Sequence, residues 1–466
     1  MTAKILCNWK VILFSLFFVV FTSIISITLT SKIYVISFIL FSILFSISIV
    51  LLLYKRYESV MVLLLALMFS TKLSDAVPIE YFTYTLTIES LAIFIFFLIY
   101  YFQERKILFD SFSFFSILLI VLAFISLQFN DSIDGFTILI SGILAQLVLY
   151  QIITMKTTTY QQIQSIIQIL ILILGVVTLF TVLQVFINYG DIAYIFKVRF
   201  SSIFYNPVIY SVALVGLWPF LFLVKITKRF NLKYIVQVIL LSFFLISLIS
   251  TQSRGAFIIF ILQLIYMTVI FKSHIFKYKI LLSFIFIIII STIWLNIDLL
   301  DFSTSSRLFN MTNFTAGTSE GQRLLAAQIG LHIGYNNLWT GVGLGNFNLA
   351  YNLTEYIHVS TENLSSAHNF LLNIFAELGI LGALFWSSMI FSIIYKLIKL
   401  RNYLENHHIL MYHVFIVSFL GITMYQILFY GEFIHINKFI SFHMVIYFTI
   451  MSLISSFYNL YKGKFR

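Results

Sequence analysis

Charge is scarce in this chain, and so are the residues that interrupt or cross-link helices. Asp, Glu, Lys and Arg make up 10% of the 466 residues, against roughly 25% in an ordinary soluble domain, which excludes a conventional water-soluble globule. The one cysteine, Cys7, excludes a disulfide framework or a thiolate metal cluster within the chain. Three prolines, Pro78, Pro207 and Pro219, leave most helices uninterrupted. An Asp-x-Asp sequence is also lacking, and with it the paired carboxylates that commonly hold a metal on a nucleotide-sugar diphosphate. No internal repeat of about 20 to 50 residues is evident, and no stretch has the composition of a disordered linker.

What is present in excess is apolar sequence: 61% of the residues are hydrophobic and 18% aromatic. Apolar runs long enough to cross a hydrocarbon core fall near 11–30, 33–54, 59–77, 84–102, 111–128, 136–155, 163–187, 208–224, 234–250, 256–271, 280–297, 369–395, 409–430 and 439–458. The fold class expected is all-α: a polytopic integral membrane protein of about 12–14 transmembrane helices, read as one membrane domain over 1–466. The first run has no small-residue cleavage pattern after it and reads as a retained span.

The formal charge of +11 is topological and does not point to a nucleic-acid partner. With the N-terminus in the cytoplasm, about 20 of the 28 Lys and Arg fall on the cytoplasmic side, which supports that orientation and puts both termini inside. The outward minority is Lys32, Lys72, Lys197, Arg199, Arg254, Arg307, Arg323 and Lys438. These oppose the bias, and the arginines among them are the candidates for function.

The only long polar insertion, from about Asp298 to Ala367, is expected outside; with His368 it forms a large extracytoplasmic loop over 298–368 carrying part of the active site. Within it, Glu320 to Ile333 has helical spacing, with Leu324, Ala327, Ile329 and Leu331 set against Arg323, Gln328 and His332, and is expected to form a short interfacial helix. A second external segment, Asn188 to Pro207, carries Lys197 and Arg199 and re-enters the membrane at Asn206-Pro207, where proline suits a helix start. A third, Thr251-Gln252-Ser253-Arg254-Gly255, puts one arginine at the membrane surface.

A guanidinium stays charged and matches phosphate oxygens bidentately, so several at one level point to a phosphorylated lipid headgroup; the alternative is that each snorkels or pairs with an external carboxylate such as Asp191 or Asp298. His368 opens a span directly after the loop, where a neutral imidazole can take a proton from a sugar hydroxyl; its alternative is an interfacial histidine at a helix start. Glu377, nine residues on and about 180° around a helix, is a poor direct partner for it. The run Gly341-Val342-Gly343-Leu344-Gly345-Asn346 lacks the preceding strand of a dinucleotide fold and reads as a tight turn. With arginines in place of carboxylates at the leaving group, the transfer expected is metal-independent and needs no cofactor.

Together, Arg199 through Asn206-Pro207, Ser253-Arg254-Gly255-Ala256, Arg323, the run from Gly341 to Phe347, His368-Asn369-Phe370-Leu371 and Glu377-Leu378-Gly379-Ile380-Leu381-Gly382 resemble the O-antigen ligase and polymerase superfamily of membrane glycosyltransferases. The resemblance covers roughly residues 195–385. It implies transfer of a glycan, with inversion, from an undecaprenyl-diphosphate carrier to a sugar hydroxyl on the outer face of a bacterial cytoplasmic membrane. Arg199 and Arg254 would hold the diphosphate, Arg323 would assist on diphosphate or glycan, His368 would activate the acceptor, and Asn206 and Asn369 would support. The partners implied are the lipid-linked donor, a glycan or lipid-linked glycan acceptor, and membrane lipids, with a chain-length regulator as a further candidate. The tryptophan often found just after the loop arginine is absent from Leu324 to Gln328, and Asn336-Asn337-Leu338 replaces the usual proline. The number of spans and the composition favour a polymerase of polysaccharide repeat units over a ligase to the lipid A core. A transporter of lipid-linked oligosaccharide is the alternative of another class, but it often needs intramembrane charges and similar halves.

Overall fold

The computed structural model describes residues 33–73, 88–129, 133–190, 198–204, 206–223, 232–270, 319–354, 364, 366–404, 408–429, 434–435, 439–440 and 442–464. The expected spans near 11–30 and 280–297, the start of the long loop, Lys32, Asp191, Lys197, Asp298, Arg307 and Lys438 lie outside the described residues.

The elements are α1 (Ile33–Leu53), α2 (Glu58–Leu73), α3 (Ile88–Glu104), α4 (Ser111–Phe129), α5 (Ile133–Thr137), a π-helical segment (Ile138–Leu144), α6 (Ala145–Lys156), α7 (Tyr160–Tyr189), α8 (Pro207–Leu217) continued by a 3-10 turn (Trp218–Leu223), α9 (Leu232–Ser250), α10 (Arg254–Ile270), α11 (Ser319–Asn336), α12 (Phe347–Asn352), α13 (Phe370–Arg401), α14 (Ile409–Phe429), β1 (Ile434–His435), β2 (Phe439–Ile440) and α15 (Phe442–Lys464). The fold is helical, as the apolar runs dictate. Between α14 and α15 lies a minimal antiparallel ladder pairing Ile434 with Ile440 and His435 with Phe439.

Among the described residues six helices are long and apolar enough to cross a membrane: Ser111–Gln128, Gly135–Lys156, Tyr160–Tyr189, Phe370–Arg401, Ile409–Leu428 and His443–Gly463; six shorter apolar helices accompany them. In hydrocarbon a backbone must satisfy its own polar groups, which only a helix does within one segment. The ends are set by local chemistry. Thr159 and Gln162 form a capping box at the start of α7, and Gly190, at φ +68°, ends it.

Burial separates a centre from a rim. In α15, 89% of the spanning window is buried, against 33% in α4, and every residue of α8 from Ile209 to Leu217 is buried. α15 packs on α6, α8 and α13, and α14 packs on α8 and α10. Sparse polar clamps register these apolar surfaces. The Gln263 amide accepts from Trp218 Nε1 at 2.6 Å and donates to the Val215 and Val417 carbonyls at 2.9 Å each, tying α8 and its 3-10 extension, α10 and α14 together. Such intramembrane bonds contribute about 0.6 kcal/mol each on average, so they act more on register than on stability. Near the end of α13, Lys396 pairs with Asp110 and donates to Tyr150 and Ser455 at 2.9 Å each, joining α13, the start of α4, α6 and α15.

Candidate functional site

At the opposite end of α13, three connections meet: 198–206 before α8, the turn between α9 and α10, and the segment from α11 to α13. The first is pinned to the second by backbone. Phe200 N donates to Ser250 O at 3.0 Å, and the Arg199 side chain donates from Nε to Thr251 O at 3.1 Å. Ser202, at φ +56°, sends its hydroxyl to Val177 O of α7 at 2.7 Å. Asn206 then caps α8, its side chain accepting from Val208 N at 2.7 Å, with Pro207 in the first turn. The sequence expectation of a helix start here is met, and the asparagine does its observed work as a cap.

The α9–α10 turn places Gln252 at φ +49°. Ser253 is buried and opens α10, its Oγ accepting from Ala256 N at 3.4 Å. Arg254 is the first residue of α10.

α11 contains the expected Glu320–Ile333 helix and extends it to Ser319–Asn336. Ala326, Ile329 and Ile333 are buried, while Leu324 and Leu331 are each 50% exposed. Two glycines allow the close approach to α13: a Cβ at Gly330 would press on Ala367, and one at Gly334 would run into the Phe375 ring. Arg323 therefore leaves the buried face of α11 and stays partly exposed.

The glycine run is a docking strip. Val342 N donates to Ala376 O at 3.0 Å, Gly343 N to Glu377 O at 2.9 Å, and Ile380 N to Leu338 O at 2.8 Å. These bonds form because α13 is broken at Gly379 (φ 67°, ψ −167°), which frees backbone groups in mid-helix. Leu344 N continues the strip to Ser126 Oγ of α4 at 3.2 Å. With these amides committed to α13 and α4, the run is a structural turn, as its sequence context indicated.

His368 lies just before α13, at φ +49°, a left-handed conformation that costs a non-glycine residue about 1–3 kcal/mol and clusters at functional sites. Its surroundings hold it there. Asn373 Oδ1 accepts from Ala367 N at 3.1 Å, Asn373 N donates to Asn369 O at 2.9 Å, and Asn369 caps α13 by accepting from Leu372 N at 3.1 Å. Burial of the imidazole, with the Arg323 charge adding to it, lowers the pKa of His368 to about 4, so the ring is neutral at pH 7.

A residue that sequence reasoning missed joins these pieces. Tyr425, 1% exposed near the end of α14, has its hydroxyl 2.9 Å from Ser211 Oγ of α8 and 2.7 Å from Ser253 Oγ. One signal existed, since Thr423-Met424-Tyr425-Gln426 is a polar cluster inside an apolar span.

Arg199 is exposed, and Arg254, Arg323 and His368 are partly so. The fold therefore defines a polytopic helical membrane protein. Residues 238–387 match the family model described as O-Antigen ligase, about a third of the chain, and this is consistent with the O-antigen ligase and polymerase superfamily. The matched segment contains Arg254, Arg323 and His368; Arg199 and Tyr425 lie outside it. No curated protein matches the chain.

Proposed function

We propose that this protein is a glycosyltransferase of the bacterial cytoplasmic membrane. In this reading it moves a glycan from an undecaprenyl-diphosphate carrier to a sugar hydroxyl at the outer face, joining lipid-linked repeat units into a polymer. The observation that carries the reading is convergence. Arg199 is bonded to Thr251 O in the turn that carries Arg254, Tyr425 is bonded to Ser253, the neighbour of Arg254, and the Arg323 charge acts on His368.

The chemistry follows from the groups. The neutral His368 imidazole takes the proton of the acceptor hydroxyl as its oxygen attacks the anomeric carbon of the donor sugar. The bond from that carbon to the diphosphate oxygen breaks on the opposite face, so configuration inverts. The electron pair leaves with undecaprenyl diphosphate, whose growing negative charge the Arg199, Arg254 and Arg323 guanidiniums stabilise. Burial assists the base in one respect and weakens it in another: the imidazole is unprotonated at neutral pH, yet its proton affinity is low until charge develops nearby. A bound diphosphate beside Arg323 offsets that arginine's charge and raises the basicity of His368 when the donor is present.

The test is an in vitro reaction of the purified protein with undecaprenyl-diphosphate-linked repeat units alone, in chelator, comparing wild type with His368→Ala. Laddered polymer from wild type and none from the variant supports the reading. Product only when lipid A core is added identifies a ligase, and inertness with both acceptors favours a transporter.

A further inference from the structure

The hydrogen-bond geometry around Tyr425 fixes the direction of each proton, and the direction carries an inference that rests on the glycosyl-transfer reading. Ser211 donates its single hydroxyl proton to Val208 O at 2.7 Å. Toward Tyr425 it can therefore only accept. The Tyr425 O–H donates to Ser211 Oγ across 2.9 Å, which leaves the Tyr425 oxygen as acceptor for the Ser253 O–H at 2.7 Å. The Ser253 oxygen in turn takes the Ala256 amide proton at the start of α10. The result is a one-way chain from the α10 N-terminus through Ser253, Tyr425 and Ser211 to Val208 in the first turn of α8.

All three hydroxyls are buried, with Ser211 at 0%, Tyr425 at 1% and Ser253 at 7% exposure. In such a place an unmade bond costs about 1–3 kcal/mol per group, so the chain holds its members in one geometry. The chain links the two segments that carry Arg199 and Arg254. Asn206, which caps α8 through Val208 N, is seven residues past Arg199, and Arg254 directly follows Ser253. A second strut joins the same segments, since Arg199 Nε is bonded to Thr251 O. The tyrosine ring comes from α14, outside both segments and outside the matched family region.

We propose that Tyr425 is a positioning residue for the diphosphate: its hydroxyl sets the Ser253–Arg254 turn against the first turn of α8 so that Arg199 and Arg254 face the same pair of phosphates. It touches neither substrate nor base. A Tyr425→Phe variant keeps the ring that fills the core and loses only the oxygen, taking from the Ser253 O–H the acceptor it has here.

The experiment measures binding of undecaprenyl diphosphate to purified protein in detergent, together with melting temperature and, in turnover, separate KM values for donor and acceptor. Tyr425→Phe is expected to bind undecaprenyl diphosphate at least tenfold more weakly and to raise donor KM similarly, with acceptor KM near wild type and melting temperature lowered only by the one buried bond left unmade. Unchanged affinity for undecaprenyl diphosphate, or a lowered melting temperature with unchanged affinity, overturns the proposal while leaving the glycosyl-transfer reading intact. Failure of the wild type itself to bind undecaprenyl diphosphate removes the diphosphate site and the proposal with it. Should Tyr425→Phe not fold, Ser211→Ala breaks the same chain one link away; weakened binding there supports the proposal and wild-type binding overturns it.

Discussion

Gly379 lies against the backbone of Trp339 so closely that a Cβ would collide with the Trp339 carbonyl. The contact is reciprocated two residues away, where Gly341 lies against the backbone of Glu377 and Leu378. Both glycines also sit at positive φ, +67° and +66°, so an alanine at either is strained before it clashes. Gly379→Ala and Gly341→Ala are each expected to destabilise the protein by roughly 2–4 kcal/mol, combining backbone strain with overpacking. Gly463, where an added Cβ would meet nothing within 4 Å, is the control: Gly463→Ala should leave the melting temperature unchanged. Thermal denaturation in detergent, followed by loss of monodisperse protein, measures all three.

The pH dependence follows from His368. Its pKa is lowered to about 4, first by burial and then by Arg323, and only its neutral form can accept a proton. The base is therefore competent at every pH above about 4 and is lost as pH falls through that value, so kcat/KM should stay level through the ordinary imidazole range near 6.5. Arg323→Gln removes a positive neighbour, so the pKa should rise and the acid limb should move to higher pH. An acid limb at about 6.5 in the free wild-type enzyme, with chemistry rate-limiting, would count against burial as the controlling influence.

Arg199 donates from its Nε to the Thr251 carbonyl, a bond that a lysine cannot make in the same way. Arg199→Lys should thus behave closer to Arg199→Ala than a conserved charge suggests. A lost charged hydrogen bond of about 1.5–3 kcal/mol corresponds to a donor KM raised on the order of 10- to 100-fold. Steady-state kinetics with varied donor, at fixed ionic strength, gives the comparison.

Asn369 shows how a supporting residue acts through a helix end. Its side chain accepts from Leu372 N and its carbonyl from Asn373 N, so it anchors the turn that holds His368 at φ +49°. Asn369→Ala should cost about 1 kcal/mol of stability, whereas Asn369→Ser, which restores a cap, should recover most of it. If activity recovers along with stability, the residue acts as a cap; recovery of stability alone assigns the amide a contact with substrate.

The sequence by itself determined the class of fold, the position of nearly every described helix, and the helix starts beside which Arg254 and His368 sit. Apolar runs of spanning length leave the backbone in hydrocarbon only a helix to form; Pro207 suits a helix start, and the runs near 256–271 and 369–395 begin beside Arg254 and His368. In α11, Leu324 and Leu331 of the expected interfacial helix are half exposed, and the residues packed on the protein are Ala326, Ile329 and Ile333. There the glycines Gly330 and Gly334, neutral in a hydropathy pattern, choose the packed face because only they admit Ala367 and Phe375. Tertiary structure alone decided that the glycine run is a strip docked on a broken helix, that His368 is partly buried and subject to the Arg323 charge, and that Tyr425 of a distant span joins the segments bearing Arg199 and Arg254. Those relations depend on distances between residues far apart in the chain, which hydrophobic patterning cannot encode because every lipid-soluble face looks alike until a partner buries it.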